Sequence, residues 1–278
     1  DNDTTTTSSS SSSGVFVAAG LSGNIVRSND NGASWDNATS PTGNDFRGVG
    51  FGNNTFVAVG NNGNIVRSTD NGSTWDNVTS PTTTTTNLSK VTFGNNTFLA
   101  VGNYGNIVRS TNNGESWDNA TTDNSTVSNL IGVTFGNSTF VGVGHSGDIV
   151  RSTNNGSSWD NATSPTNNHL MEVTFGNNTF VAVGNSGTIL TSSNGTTWTS
   201  TTSGNSAHLK DVTFGNNTFV AVGQSGNIVR STDNGSNWND ATSPISNSFN
   251  GITFGNNTFV GVAVNGKIVR STDNGSSW

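Results

Sequence analysis

The chain of 278 residues contains no cysteine, a single methionine, a single tyrosine and few charges: 10% of residues, against about 25% in an average soluble domain. Without cysteine there is no disulfide scaffold, no thiolate zinc site and no cysteine nucleophile. The compartment stays undecided by this, because a large repeat fold needs no disulfides. No stretch approaches the roughly 18 consecutive apolar residues of a membrane helix, so membrane insertion is not expected. Basic residues are scarce too. Lys+Arg number 10 against 17 Asp+Glu, a formal charge of -7, and no basic patch is present to neutralise phosphates. Nucleic acid is therefore not an expected partner. The first residues spell no signal peptide, so any such peptide is cleaved or lies outside this chain. The apolar share, 29%, would suit a disordered chain.

The order of the residues says otherwise. Tryptophan occurs at Trp35, Trp75, Trp117, Trp159, Trp198, Trp238 and Trp278 and nowhere else, at steps of 40, 42, 42, 39, 40 and 40. The same words recur around each one, as in the unit from Val91 to Thr122 and again from Val212 to Ser243. Each unit breaks into four short extended pieces. They are Val-Thr-Phe (Val91 to Phe93), Phe-Val-Ala-Val (Phe56 to Val59), Ile-Val-Arg-Ser (Ile65 to Ser68), and a polar piece that starts at the tryptophan and runs through Asp-Asn-Ala-Thr. β-Branched and aromatic residues fill the pieces, Gly/Asn clusters punctuate them, and no 3.6-residue apolar period appears.

Four strands in about 40 residues is the pattern of a propeller blade. The expected fold is all-β: one seven-bladed β-propeller of four-stranded antiparallel blades over residues 1–278. A β-solenoid and two stacked sandwiches are the rival architectures, but solenoid repeats are usually shorter. The second piece is apolar on both faces, which suits a sheet packed between neighbouring blades. The fourth is polar and suits an outer edge.

The turn between the third and fourth pieces reads Ser-Thr-Asp-Asn-Gly-Ser-Thr-Trp from Ser68 to Trp75. All seven units carry a version of it, with Asp30, Asp70, Asn112, Asn154, Ser193, Asp233 and Asp273 at the acidic position. This turn resembles the Asp-box, or BNR, motif of propellers such as sialidases, sortilin-type receptors and photosystem II assembly factors. A short acceptor side chain there binds backbone N–H groups of its own turn, glycine takes a positive φ, and tryptophan fills the space between blades. A calcium loop is echoed, but no acidic residue follows at the twelfth position and the carboxylate is lost in three units. The box is read as structural; no metal and no cofactor are expected.

Resemblance to sialidases would imply an arginine cluster, a nucleophilic tyrosine with a glutamate partner and an acid/base carboxyl. Tyr104, Glu115 and Glu172 are the only tyrosine and glutamates. Arg27, Arg67, Arg109, Arg151, Arg230 and Arg270 fill one repeated slot, which spreads them around the ring, and they are expected to bond to neighbouring backbone. His145, His169 and His208 have no ligand spacing and are read as surface residues. No catalytic residue is assigned. In an up-and-down blade the Gly-Asn-Asn-Thr turn and the box turn share one face. The Gly-x-x-Gly turns and the inter-blade loops share the other, which varies. Tyr104, His145, His169, His208, Lys90, Glu172 and Asp211 mark this variable face as the candidate ligand face, with the last three placed just before the innermost strand, near the channel mouth.

Sequons are dense. Asn37, Asn77, Asn119 and Asn161 lie on the outer piece, Asn53, Asn95, Asn137, Asn177, Asn216 and Asn256 in the invariant turn, Asn71, Asn155, Asn194, Asn234 and Asn274 in the box, and Asn87 and Asn124 in loops. The outer sites are the best glycan acceptors, because a sugar there meets only solvent. The low-complexity Thr/Ser segment 1–13 aligns with the innermost strand of the first blade, and closes the ring or replaces that strand. The expectation is a non-enzymatic, extracellular or cell-surface structural or adhesive propeller, in a coat, appendage or filament, with self-assembly or surface partners. A glycan-binding, lectin-like propeller is the alternative, and a sialidase-type glycosidase the second.

Overall fold

The computed structural model describes residues 7–10, 14–82, 86–122 and 127–278. Asn124 and the rest of the 1–13 segment lie outside them. Seven antiparallel sheets follow one another along the chain. Their innermost strands are Thr7–Ser10, Phe46–Gly52, Leu88–Gly94, Leu130–Gly136, Leu170–Gly176, Leu209–Gly215 and Phe249–Gly255. Each pairs with a second strand, then a third, then a short outer one such as Asp76–Val78. The seventh sheet shows three strands among the described residues, and the fourth gains a two-residue parallel strand, Thr121–Thr122, from the preceding blade. This is the seven-bladed β-propeller expected from the repeat. The Thr7–Ser10 strand pairs antiparallel with Phe16–Ala19 at the innermost place of blade 1.

Every blade is built alike because the same residues recur. The second strand, as in Phe56, Val57, Ala58 and Val59, is fully buried on both faces. Phe51 stacks on Phe56 at 4.6 Å and Phe56 on Trp75 at 6.4 Å, a tilted aromatic ladder that blades 2 to 7 repeat. Trp75 clusters with Val17 and Ile25 of blade 1 as well as with its own blade, so the tryptophan does fill the inter-blade space. Asn53 and Asn54 both take positive φ, 50° and 56°, the backbone of a type I′ hairpin, which asparagine tolerates. Blades stack closely because the inner strand ends in glycine: a Cβ on Gly52 would sit 2.0 Å from the Phe93 ring of the next blade. The ring closes. Asn256 Nδ2 donates to Asn31 Oδ1 at 2.7 Å, the contact that Asn216 makes with Asn274 between blades 6 and 7.

The box turns act as expected, with one correction. Ser68 Oγ donates to Asp70 and accepts the Gly72 N–H, Asp70 accepts from Thr74, and Trp75 Nε1 donates to Gly72 O. Asn112 and Asn154 reproduce this, donating from Nδ2 to Ser116 and Ser158. Ser193 does not hold the acceptor position. Ser192 occupies the place of Ser68, pairing with Phe180, and Asn194 accepts from Thr196 and Thr197. The fifth box is one residue shorter, and the 39-residue tryptophan step is its trace. The carboxylates sit low in pKa. The Ser34 hydroxyl and N–H hold Asp30 at about 2, and Asn237 lowers Asp233. Ser277 lowers Asp273, and for Asp70 the bonds from Thr74 outweigh partial burial.

Candidate functional site

The inner strands line the central channel, and those of blades 2 to 7 each carry a β-bulge near the start. In blade 3 Val101 pairs with Lys90 and Gly102 with Leu88, which leaves Ser89 unpaired. The same shift skips Arg47, Ile131, Met171, Lys210 and Asn250 in the ladder register of blades 2, 4, 5, 6 and 7. A bulge re-aims side chains, and here the bulged residue and the one after it both line the axis. Lys90, Glu172 and Asp211 are thus inside the innermost strand rather than just before it. They share one slot with Gly48, Gly132 and Gly251.

These three charges converge from blades 3, 5 and 6. Lys90 Nζ lies 2.5 Å from Glu172 Oε2 and 3.9 Å from Asp211 Oδ1. Glu172 Oε1 accepts the Val173 N–H, and Asp211 accepts the N–H groups of Val212 and of Ile252 in the next blade. Burial pushes the Glu172 carboxyl up to about 7; Lys90 pulls against this and Asp211 adds to it. Burial also raises Asp211, with Lys90 and the two N–H groups opposing. Burial disfavours the Lys90 ammonium, but Asp211 and Glu172 outweigh it and raise its pKa.

The triad divides the channel. On one side is a cavity of about 210 Å³ walled by Thr92, Thr134, Thr174, Thr213 and Thr253. On the variable side is a mouth of about 270 Å³, with Lys90, Glu172 and Asp211 as floor and Arg47, Ile131, Met171 and Lys210 among its walls. Arg47 Nε donates to Asn61 Oδ1 and Lys210 Nζ to Asn250 Oδ1. Tyr104 is 78% exposed and sits at φ 59°, a left-handed position that a bulky residue rarely takes. Its neighbour Asn103 and its bonding partner Asn129 both line the mouth.

The candidate residues of the variable face therefore separate. Lys90, Glu172, Asp211 and His145 meet at the mouth, with Tyr104 beside it. His145 and His169, far apart in the repeat, stack at 4.4 Å. His169 and His208 each accept a turn N–H through Nδ1, from Ser146 and Ser186, the job that Asp45 does for Ser22. The proton of each neutral ring belongs on Nε2. Burial, then His169, lowers the His145 pKa. Among the described residues no group of three or more His, Asp or Glu side chains could hold a metal. The repeated arginines do not converge, and three reach the next box: Arg27 donates to Ser73 Oγ, Arg109 to Ser157 Oγ and Asn155 O, and Arg67 lies 3.8 Å from Glu115, whereas Arg151 faces Asp160 of its own blade. Side chains, not only backbone, take these bonds. The bulge residues escaped the sequence reading. Aligning the units column by column exposes them, because the column right after a constant Phe or Leu holds Arg, Ser, Ile, Met, Lys and Asn.

Fold and site define a β-propeller with a closed-off channel mouth on its variable face. The chain belongs to the DUF6242 beta propeller domain family, whose sequence model matches residues 45–168 and, overlapping them, 134–248. No curated protein matches the chain. Among solved structures it is similar to YCF48 bound to D1 peptide, at 19% identity and TM-score 0.75, covering 96% of this chain and 92% of that one. It is also similar to a catalytically inactive virginiamycin B lyase from Staphylococcus aureus with quinupristin, at 19% identity and TM-score 0.83, covering 97% and 96%. A Niastella koreensis GH74 enzyme matches at 21% identity and TM-score 0.72, over 98% of this chain and 43% of that one. These likenesses establish the fold.

Proposed function

We propose that the protein is a non-enzymatic binding propeller of the extracellular space or cell surface, an adhesive or structural component that holds a protein partner at the channel mouth. One observation carries this reading. Six blades repeat almost word for word, yet the bulge slot holds six different residues, Arg47, Ser89, Ile131, Met171, Lys210 and Asn250, all facing one cavity. Drift in loops does not account for divergence inside a buried strand, whereas recognition by a ring of distinct side chains does. An exposed aromatic beside the mouth, Tyr104, suits a partner contact. YCF48, which shares the fold, is recorded bound to a peptide.

The absence of catalysis is supported by how the carboxyls are employed. Asp211 accepts two backbone N–H groups and Glu172 is tied to Lys90, so neither is poised as an acid pair. Tyr104 is remote in the repeat from any convergent arginine set. The surface setting is supported by the low charge and by exposed sequon asparagines on the outer strands. Glycan binding and self-assembly are the rival readings.

The test applies fluorescently labelled protein to cells of the source organism. Saturable binding is expected, lost in the triple variant Arg47→Ser, Met171→Ser, Lys210→Ser and kept in a triple variant on the box face. Binding indifferent to the mouth variant overturns the proposal. Competition by free sugars would instead support the lectin reading, and concentration-dependent oligomers the filament.

A further inference from the structure

The dipeptide Asn-Gly occurs ten times in the chain: once in each of the seven boxes, as Asn71–Gly72, and again at Asn62, Asn250 and Asn265. It is chemically fragile. The glycine amide nitrogen, with no Cβ to shield it, attacks the asparagine Cγ, expels ammonia and closes a five-membered succinimide. Water then opens that ring at either carbonyl and leaves aspartate or isoaspartate. Amide plus water give a carboxyl and ammonia, and nothing is oxidised. Two conditions limit the step. Base has to remove the glycine N–H proton, and the asparagine ψ has to turn until the nitrogen reaches Cγ, which carries the whole glycine peptide plane with it.

The box glycines are denied both. Each donates its N–H to the serine three or four residues back, as Gly72 does to Ser68 Oγ at 2.9 Å and Gly195 to Ser192 Oγ at 2.9 Å. Each is buried, and a buried, bonded N–H gives up its proton only after local opening. Each also packs on the neighbouring blade: a Cβ would lie 2.8 Å from Val17 at Gly72 and 2.5 Å from Leu99 at Gly156, so the peptide plane has no room to swing. In most boxes the asparagine amide is bonded too, as Asn155 Nδ2 is to Thr97 Oγ1 at 2.6 Å. Two of the other three pairs are also held. Asn250 and Gly251 are buried in an inner strand, with Gly251 opposite Val262 in the ladder. Asn62 Nδ2 donates to Asn44 Oδ1, and Gly63 is buried. Asn265–Gly266 differs from all of these. Both residues are exposed in the short turn before Lys267, and a Cβ on Gly266 would meet nothing within 4 Å. The Asn265 side chain has no hydrogen bond among the described residues.

We infer that Asn265–Gly266 is a modification site, at which the protein converts spontaneously to aspartate and isoaspartate, and that the box serines hold the seven box pairs in check. The product places a carboxylate beside Lys267 on the variable face, and isoaspartate adds a methylene to the main chain of that turn. The box serine thereby has a second task besides shaping its turn: it keeps the N–H of a reactive glycine occupied.

The intact protein, made in a host that does not glycosylate it, is aged in mildly alkaline buffer prepared with heavy-oxygen water. Digests are then read by fragment mass spectrometry, which marks each converted asparagine. Asn265 is expected to convert at least about tenfold faster than any box asparagine. A parallel sample in concentrated urea gives the rates without the fold, and there the ten pairs should agree within a few-fold. Ser68→Ala tests the guard at Asn71, whose side chain makes no hydrogen bond among the described residues, so that the Ser68 bond to Gly72 is the one removed. Asn71 should convert about tenfold faster in this variant while the other six boxes stay slow. If all seven boxes rise together the variant has unfolded, and the unaltered protein decides alone. Box asparagines that convert as fast as Asn265 in the folded protein, an Asn265 that reacts only in urea, or the same order of rates with and without urea overturns the inference. So does an Asn71 unmoved by Ser68→Ala in a ring that is otherwise protected.

Discussion

Lys90 Nζ meets Glu172 Oε2 at 2.5 Å although a whole blade stands between their strands. Blade 4 permits this because its residue in the same slot is Gly132, where a Cβ would lie 2.7 Å from Glu172 Oε1 and 2.7 Å from Glu172 Cα. The lysine and the carboxylate span the gap that the glycine leaves open. Gly132→Ala is therefore expected to displace Glu172 and lower stability by about 1–3 kcal/mol, the usual cost of overpacking. A urea melt measures it; a neutral result would show that the inner strand yields.

Removing the cation is costlier. Lys90→Met leaves two buried carboxyls without their partner, and breaking a buried pair costs about 3–5 kcal/mol. The loss should be largest near pH 8 and shrink toward pH 5, where Glu172 takes up a proton. A loss that does not vary with pH would contradict the raised Glu172 value.

Two sets of carboxyls pull the pH dependence in opposite directions. The folded pKa of Glu172 is raised from 4.5 to about 7, so the folded state binds that proton more tightly. Its contribution is most favourable below pH 4.5 and declines as the pH rises to about 7. The box aspartates are lowered from 3.8. What they contribute is present above about pH 4 and lost as the pH falls through their folded values, about 2 for Asp30. Maximum stability is expected between these windows, near pH 4.5. Glu172→Gln should flatten the neutral limb and leave the acid limb intact.

The blade-end glycines should be unforgiving. Gly136→Ala would push a methyl to 2.0 Å from the Phe175 ring, whereas a Cβ on Gly43 meets nothing within 4 Å. The first is expected to lose at least about 2 kcal/mol and the second to be neutral or slightly stabilising. Paired thermal melts decide it.

Glycan occupancy should follow hydrogen bonding. Asn37, Asn77, Asn119 and Asn161 are exposed on outer strands. Asn95, Asn177, Asn216 and Asn256 each donate from Nδ2 to the next blade's box, and a sugar on that nitrogen would displace the bond. Peptide mapping of protein secreted from a glycosylating host should find the first group modified and the second bare.

Much of this was legible in the sequence. Periodic tryptophans gave the blades, apolar runs such as Phe56 to Val59 gave the inter-blade packing, and turn parity gave the two faces. The bulge hid the mouth. Strand alternation would send Arg47 and Gly48 to opposite sides, and one unpaired residue puts both on the axis. The triad was half legible, since Lys90, Glu172 and Asp211 stood out as charges, but their meeting depends on the curvature of the ring. The His145 and His169 stack is likewise a product of neighbouring turns brought together. Ser193 misled because a one-residue deletion is invisible when counting back from the tryptophan.

A ring of near copies is only as firm as its joints. Inner strands of blades 3 to 7 lock a phenylalanine over the preceding glycine, as Phe254 does over Gly215. The arc from blade 2 to blade 7 is thus held at each of its five steps by the same aromatic latch, and amide exchange and pulling force should find those steps alike.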